Sequence, residues 1–230
     1  MLQHTYIGRN LLDLVFPNIC VVCTRALVRG ENILCTQCNY ELPRTHFSTH
    51  ENNPVHQLFW GRILLNHASA YFHYRKGSSF QKLLHQLKYH GKYEIGVELG
   101  RQFGYELLIS PHYHTVELIV PVPLHPKKEK ERGYNQSLAI AEGISQALKV
   151  PTETIIERKI YAETQTKKSR IDRWQNVEEA FHLKHPEKAE GKHLLLVDDV
   201  ITTGATLEAC ALSLRNLNDY QLSIAGLAAA

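Results

Sequence analysis

Apolar residues along this chain fall into two alternating patterns. From Leu194 to Val197 the run is uninterrupted, and Val200 follows after Asp198 and Asp199. A short apolar run of this kind predicts a strand buried on both faces. Similar runs at Ala68–Tyr74, Val116–Val122, Thr154–Arg158 and Leu222–Leu227 predict further strands. Between them the spacing becomes helical. Phe80, Leu83, Leu84 and Leu87 mark one helix after Gly77-Ser78-Ser79. A second is expected from Ile95 to Leu108, stopping before Ser110-Pro111, and a third from Ser137 to Leu148. A fourth begins at Leu207, after Thr202-Thr203-Gly204-Ala205-Thr206. Strands alternating with helices argue an α/β fold with a mainly parallel sheet and right-handed crossovers.

Two stretches lack either period. Residues 40–60 are rich in His, Asn, Pro and Thr and read as a linker with little regular structure. Tyr161 to Asn176 is polar and long, a composition expected of a lid or a disordered segment. The helix marked by Phe80 carries Gln81, Lys82, His85 and Lys88 on its other faces. A core helix with a solvated basic side is the preferred reading, over a basic nucleic-acid surface.

Composition adds only bounds. The 230 residues suffice for one α/β domain and a small appendage, and 43% hydrophobic with 21% charged suits a globular protein. A net charge of +3 permits a phosphate-bearing ligand or nucleic acid without requiring either, and 14 His can raise it under mild acid. No apolar run approaches the roughly 20 residues of a membrane span. Met1 to Asn10 has no apolar signal core, so a cytoplasmic location is expected.

Cysteine spacing points to a metal. Cys20, Cys23, Cys35 and Cys38 form two C-x2-C pairs separated by eleven residues, with room for a hairpin around Arg29-Gly30-Glu31-Asn32. Two such knuckles complete a tetrahedral zinc site, structural because all four positions are filled. Paired disulfides would need an oxidising compartment, for which nothing argues, and a redox pair fits two neighbouring motifs less well. Cys210 stands apart as a small core residue.

Chemistry gathers after the longest apolar run. Adjacent carboxylates Asp198 and Asp199 are costly in a core, so they must emerge where something pairs with them. Thr202, Thr203, Gly204 and Thr206 then offer hydroxyls and N–H groups at a helix start, a favourable anion site. An ordinary strand–turn–helix with a Thr cap explains one hydroxyl but not paired acids with three threonines around a glycine. Acids beside a phosphate cradle suit a ligand bearing a diol and a phosphate. The motif resembles the phosphoribosyl-pyrophosphate (PRPP) signature of type I phosphoribosyltransferases. That likeness implies that Asp198 and Asp199 bind the ribose hydroxyls, while Thr202, Thr203, Gly204, Ala205 and Thr206 wrap the 5-phosphate.

More of the chain resembles the ComF family of competence-associated, phosphoribosyltransferase-like proteins. The matching pieces are Phe16-Pro17 before the cysteines, Leu87-Lys88-Tyr89 with Gly91, and Val120-Pro121-Val122-Pro123-Leu124. Others are Arg132-Gly133-Tyr134-Asn135-Gln136, Thr164-Gln165, Arg173 with Asn176, Ala180-Phe181 and the PRPP loop. The resemblance implies a parallel sheet flanked by helices with an N-terminal zinc ribbon: residues 1–45 for the ribbon segment, 46–66 a linker, 67–230 the phosphoribosyltransferase-like domain. It implies a basic pyrophosphate loop with Lys127, Lys128 and Arg132, and a mobile loop bringing Gln165, Arg170 and Arg173 to the reaction centre. Magnesium would accompany PRPP. Three roles stay open: a transferase to a nitrogen nucleophile, a binding module retaining the pocket, and an adaptor for single-stranded DNA or competence-machinery proteins. For single-stranded DNA, Tyr71, Tyr74, Tyr89, Tyr93 and His90 near Lys76, Lys88 and Lys92 are the candidates. Any acceptor hood must come from segments before the PRPP loop.

Overall fold

A computed structural model describes residues 17–89, 92–158 and 180–230. Its centre is a four-stranded sheet of β1 (His67–His73), β2 (Leu118–Pro121), β5 (His193–Ile201) and β6 (Gln221–Ala229), in the order β1-β6-β5-β2. Every pairing in it is parallel. The uninterrupted apolar runs follow from burial on both faces. Leu195, Val197, Ile119 and Leu227 enter one apolar cluster, while Leu194, Leu196, Leu118, Val120 and Ile224 enter the other. The predicted third strand is not part of this sheet. Ile156–Arg158 (β3) instead pairs antiparallel with Phe181–Leu183 (β4) in a separate ribbon.

Helices cover both faces. On the first lie α3 (Ser79–Tyr89), α4 (Tyr93–Leu108) and α6 (Gln136–Leu148), close to the predicted bounds. Helices α4 and α6 approach closely enough that a Cβ on Gly100 would meet the Ile140 carbonyl oxygen at 2.2 Å. The second face holds α7 (Ala205–Ser213), which starts two residues before the expected Leu207. Lys127, Lys128 and Arg132 do not form the expected open loop. They lie on a short helix, α5 (Pro126–Arg132), started by Pro126 and stopped by Gly133 in the left-handed region at φ +83°.

The linker is more ordered than its composition suggested. It contains a 3-10 turn at Phe47–Thr49 and a helical turn, α2 (Pro54–Gln57), whose N-cap Asn53 accepts from Val55 and His56 N–H. Asn53 also donates to the Ala68 carbonyl at 2.9 Å, tying the segment to β1. Before it, the cysteine segment carries α1 (Thr36–Tyr40) and packs on the α4 face. Ile33, Leu34 and Leu42 share one cluster with Tyr71, Phe72 and Phe103. Among the described residues, no helix is long and apolar enough to cross a membrane.

Candidate phosphoribosyl and cysteine sites

β5 carries its apolar run into the acids and ends at Ile201, so Asp198 and Asp199 lie near the carboxyl edge of a parallel sheet. Ligands of open α/β sheets bind at that edge. The two acids have different partners. Asp198 accepts from the Ser137 hydroxyl at 3.0 Å and from the Asp199 N–H at 2.9 Å. Burial, reinforced by the neighbouring Asp199 charge, pushes the Asp198 carboxyl up to about 7. Asp199 pairs instead with Lys88 of α3, with Nζ at 2.8 Å from Oδ2. Lys88 is therefore not on a solvated basic side. It lies four residues beyond Leu84, on the stripe that meets the core, and that spacing was its signal in the sequence.

After the acids the chain turns through Thr202 and Thr203 to Gly204, the N-cap of α7, at φ +73°. A side chain there would be strained in the backbone, and its Cβ would meet the Phe59 ring at 2.8 Å. The Thr203 hydroxyl accepts weakly from Ala205 N–H at 3.4 Å. Behind the turn stands Arg62 from the linker. It donates to the Thr203 carbonyl at 2.9 Å and to the Leu58 carbonyl at 3.0 Å. Its guanidinium also binds Glu208 of α7, with Nε to Oε2 at 3.1 Å, and lies over the Phe59 ring. Sequence reasoning missed Arg62 and Phe59 because they come about 140 residues earlier in a stretch without periodicity.

The remaining candidate residues divide. β2 pairs with β5 in parallel, Pro121 opposite Val197, so α5 with Lys127, Lys128 and Arg132 leaves the same edge as the acids. Lys127 and Lys128 are exposed, and Arg132 donates to Gln136 of α6 at 2.6 Å. Asn135 caps α6 and donates to the Val122 carbonyl at 2.9 Å, which places Ser137 beside Asp198. Gln165, Arg170 and Arg173, with the expected lid, lie outside the described residues. Of the DNA-binding candidates, Tyr71 is instead a core residue, stacked on Phe103 at 5.0 Å between ring centroids. Tyr93 packs edge-on against Tyr134 at 5.2 Å. His90 and the Tyr89 side chain lie outside the described residues. A cleft of about 500 Å³ adjoins Asp199 and is lined by Tyr74, Gln81, Leu84, His85, Lys88 and Thr202.

The four cysteines converge, with every sulfur within 4.8 Å of the others and none in a disulfide. Cys20 and Cys23 lie on a turn that ends at Thr24, φ +62°, and is clipped by the Ile19–Ala26 bridge. Cys35 caps α1, which carries Cys38. In place of the expected hairpin around Arg29-Gly30-Glu31-Asn32 there is a turn at Arg29–Gly30 without flanking strands, and Glu31 braces it by accepting from Val28 N–H and from Thr36 N–H and hydroxyl. Tetrahedral zinc with Zn–S of about 2.3 Å separates sulfurs by about 3.8 Å, and Cys23 and Cys35 stand 3.6 Å apart. The donor set therefore fits zinc. Arg25 donates to Cys23 Sγ at 3.4 Å and to Cys35 Sγ at 3.7 Å, and it lowers the Cys23 thiol to about 6. Cys210 is buried, and burial raises its thiol well above the usual range, as suits a core residue.

The phosphoribosyl transferase domain family matches residues 135–229, from the α6 cap to the end of β6. DNA utilization protein YhgH of Escherichia coli (strain K12) is 32% identical over 222 residues, covering 92% of this chain and 90% of that protein. Competence protein F of Haemophilus influenzae is 28% identical over 228 residues, covering 92% and 96%. A solved structure of the allosteric regulatory enzyme of purine biosynthesis aligns with 57% of this chain and 25% of its own, at 21% identity and TM-score 0.40. With near full-length relatives of this kind around a four-cysteine segment and a phosphoribosyltransferase-type sheet, the chain belongs to the ComF family.

Proposed function

We propose that this chain binds PRPP with magnesium at the carboxyl edge of β5 and transfers its phosphoribosyl group to a nitrogen nucleophile. The observation that carries the reading is the sequence of groups leaving one parallel strand. Paired carboxylates come first, then a left-handed glycine turn, then a helix N-terminus. In this reading Asp198 and Asp199 accept from the ribose hydroxyls, and the backbone and hydroxyls of Thr202, Thr203, Gly204, Ala205 and Thr206 hold the 5-phosphate. Lys88, paired with Asp199 here, sits within reach of the same ligand.

The bond from the anomeric carbon to pyrophosphate breaks, pyrophosphate leaves with the electron pair, and the nucleophile forms the new C–N bond as it loses a proton. Such a centre is cation-like, so the work is charge stabilisation and exclusion of water. Lys127, Lys128 and Arg132, together with Gln165, Arg170 and Arg173, are the groups proposed to meet the departing charge. Magnesium, held mainly by the ligand's own oxygens, would supply charge neutralisation. Zinc on the four cysteines has a structural role.

A second reading is favoured by the relatives' names, which speak of DNA utilization and competence. In it the pocket binds its ligand without turnover and the protein serves as an adaptor of the single-stranded DNA uptake machinery. Calorimetry with PRPP and magnesium tests what the two share. Asp199→Ala should weaken binding by about 1.5–3 kcal/mol, the worth of a hydrogen bond to a charged acceptor. Equal affinity in the Asp198→Ala, Asp199→Ala double variant would reject the site. Pyrophosphate release with added nitrogen nucleophiles then separates transferase from adaptor.

A further inference from the structure

The turn through Thr203 and Gly204 is backed by residues 53–62 of the linker, and the contacts give that segment a part in the ligand site. We infer that Phe59 is a positioning residue of this turn: its ring holds in place the backbone proposed to receive the 5-phosphate. The inference rests on the PRPP reading of the loop.

A cradle of backbone N–H groups binds an anion well only if its backbone is already held, since a loop that must order on binding loses affinity to that ordering. Gly204 is where this turn could give, being left-handed at φ +73° and without a side chain. The Phe59 ring fills the space on that side. A Cβ on Gly204 would stand 2.8 Å from Phe59 Cε1 and 3.0 Å from Cζ, with Leu58 Cδ2 at 3.1 Å. One residue earlier the Thr203 carbonyl accepts from Arg62 at 2.9 Å, and the Arg62 guanidinium lies over the same ring, 5.8 Å from its centroid. The ring has little freedom of its own. Phe59 is 1% exposed and shares an apolar cluster with Ile201 and Leu207, which stand just before and just after the turn. Its backbone is fixed by successive turn hydrogen bonds. Phe59 N–H donates to the His56 carbonyl at 3.1 Å, Trp60 N–H to that of Gln57 at 3.2 Å and Arg62 N–H to that of Phe59 at 3.0 Å. Asn53 joins this run to β1 through the Ala68 carbonyl. Because β1, β6 and β5 are neighbours in one sheet, the brace and the loop stand on the same support.

Val55 separates positioning from packing, because it is buried in the same cluster but lies on α2, ahead of the residues that meet the turn. Calorimetry with PRPP and magnesium, thermal scans and hydrogen exchange of residues 53–62 would compare the full-length zinc-loaded chain with Phe59→Leu and Val55→Ala. Phe59→Met serves as a second variant should Phe59→Leu fail to fold. Phe59→Leu should bind PRPP about tenfold more weakly, as expected for a displaced cradle. Val55→Ala should lower the melting temperature yet keep affinity within about twofold of the parent. PRPP should slow exchange at the Phe59, Trp60 and Arg62 amides of the parent and much less in Phe59→Leu, a ligand dependence that packing alone does not produce. Parental affinity in Phe59→Leu, or equal weakening by Val55→Ala, would overturn the positioning role and leave the loop reading intact. Exchange in residues 53–62 that saturating PRPP does not change would overturn it as well. Failure of PRPP to bind the parent chain would overturn the loop reading, and this inference with it.

Discussion

Asp198 and Asp199 are adjacent in sequence, yet their surroundings assign them different costs. Asp199 has Lys88 as a direct counter-ion, whereas Asp198 accepts from the Ser137 hydroxyl and a backbone N–H and feels the Lys88 charge only as a minor influence, among the described residues. Because the Asp198 carboxyl is raised in the folded protein, its contribution to stability is fully present below the unfolded value near 3.8. That contribution is lost as pH rises through about 7. Asp198→Asn keeps both acceptor contacts and removes the charge. It should raise the melting temperature at pH 8 by about 2–4 °C, the shift of roughly 1 kcal/mol in a chain of this size, and leave it unchanged near pH 4. It should also weaken PRPP. The parent must be measured at each pH, because buried His67 works in the opposite sense. Burial lowers its imidazole to about 4, so its contribution is lost as pH falls from 6.5 toward that value. Thermal scans of both proteins from pH 4 to 8 check this. Arg62 makes a second residue-scale case. Arg62→Ala strands a mostly buried Glu208 and frees the Thr203 carbonyl, and should cost about 1–3 kcal/mol of stability as well as PRPP affinity. Arg62→Lys should restore little of the affinity, because an ammonium cannot bind Glu208 and both carbonyls in one planar fork. Denaturant titration and calorimetry of the two variants separate the effects.

Elements were legible where one physical term dominated. The runs forming β1, β2, β5 and β6 were visible because burial on both faces leaves few places for polar residues, and those that are buried there, such as Ser69 and Ser223, are hydrogen-bonded. β3 was read as a strand but its pairing was not, since three residues carry no record of whether their neighbour is parallel. The basic stretch became α5 because Pro126 and Gly133 define its ends, a local signal overshadowed by the charges. The paired acids and the four cysteines were legible because their chemistry lies within a few consecutive residues. Arg62 was not, since it meets the loop only through tertiary contact, and Lys88 left a signal only in its four-residue step from Leu84. Helix packing shows how little room some of these elements have. An alanine at Gly100 would gain about 1 kcal/mol in helix propensity, but its methyl would collide with the Ile140 carbonyl, a backbone atom that can retreat only if α6 moves. The clash dominates. Gly100→Ala should lose about 1–2 kcal/mol of net stability, read from the denaturant midpoint. Because α6 carries Ser137, the same shift should also weaken PRPP.

At the scale of the whole molecule, one sheet separates two apolar clusters, and the cysteine segment contributes to only one of them. Ile33, Leu34 and Leu42 cover part of the face that holds Tyr71 and Phe103, so the segment is coupled to the sheet through packing as well as through chain connectivity. Its own core is too small to fold unaided, and the metal would supply the missing free energy, on the order of 10 kcal/mol. Arg25 strengthens that case. Four thiolates around zinc carry a net double negative charge, and its guanidinium donates to two of those sulfurs. Purified protein should therefore contain one zinc per chain, measurable by elemental analysis, and Cys35→Ser should lose it. Such loss should open residues 17–42 to limited proteolysis and lower the melting temperature by several degrees as the α4 face loses its cover. The sheet should keep most of its far-ultraviolet circular dichroism, since the cysteine segment reaches it in backbone pairing only through the bridge of Arg44 to Phe72 at the β1 edge, among the described residues, and the second cluster is untouched. Metal-free protein with an unchanged melting temperature would show that the cysteines do not hold a stabilising ion. Complete loss of the circular dichroism signal would show instead that the sheet cannot stand without the metal-bound segment.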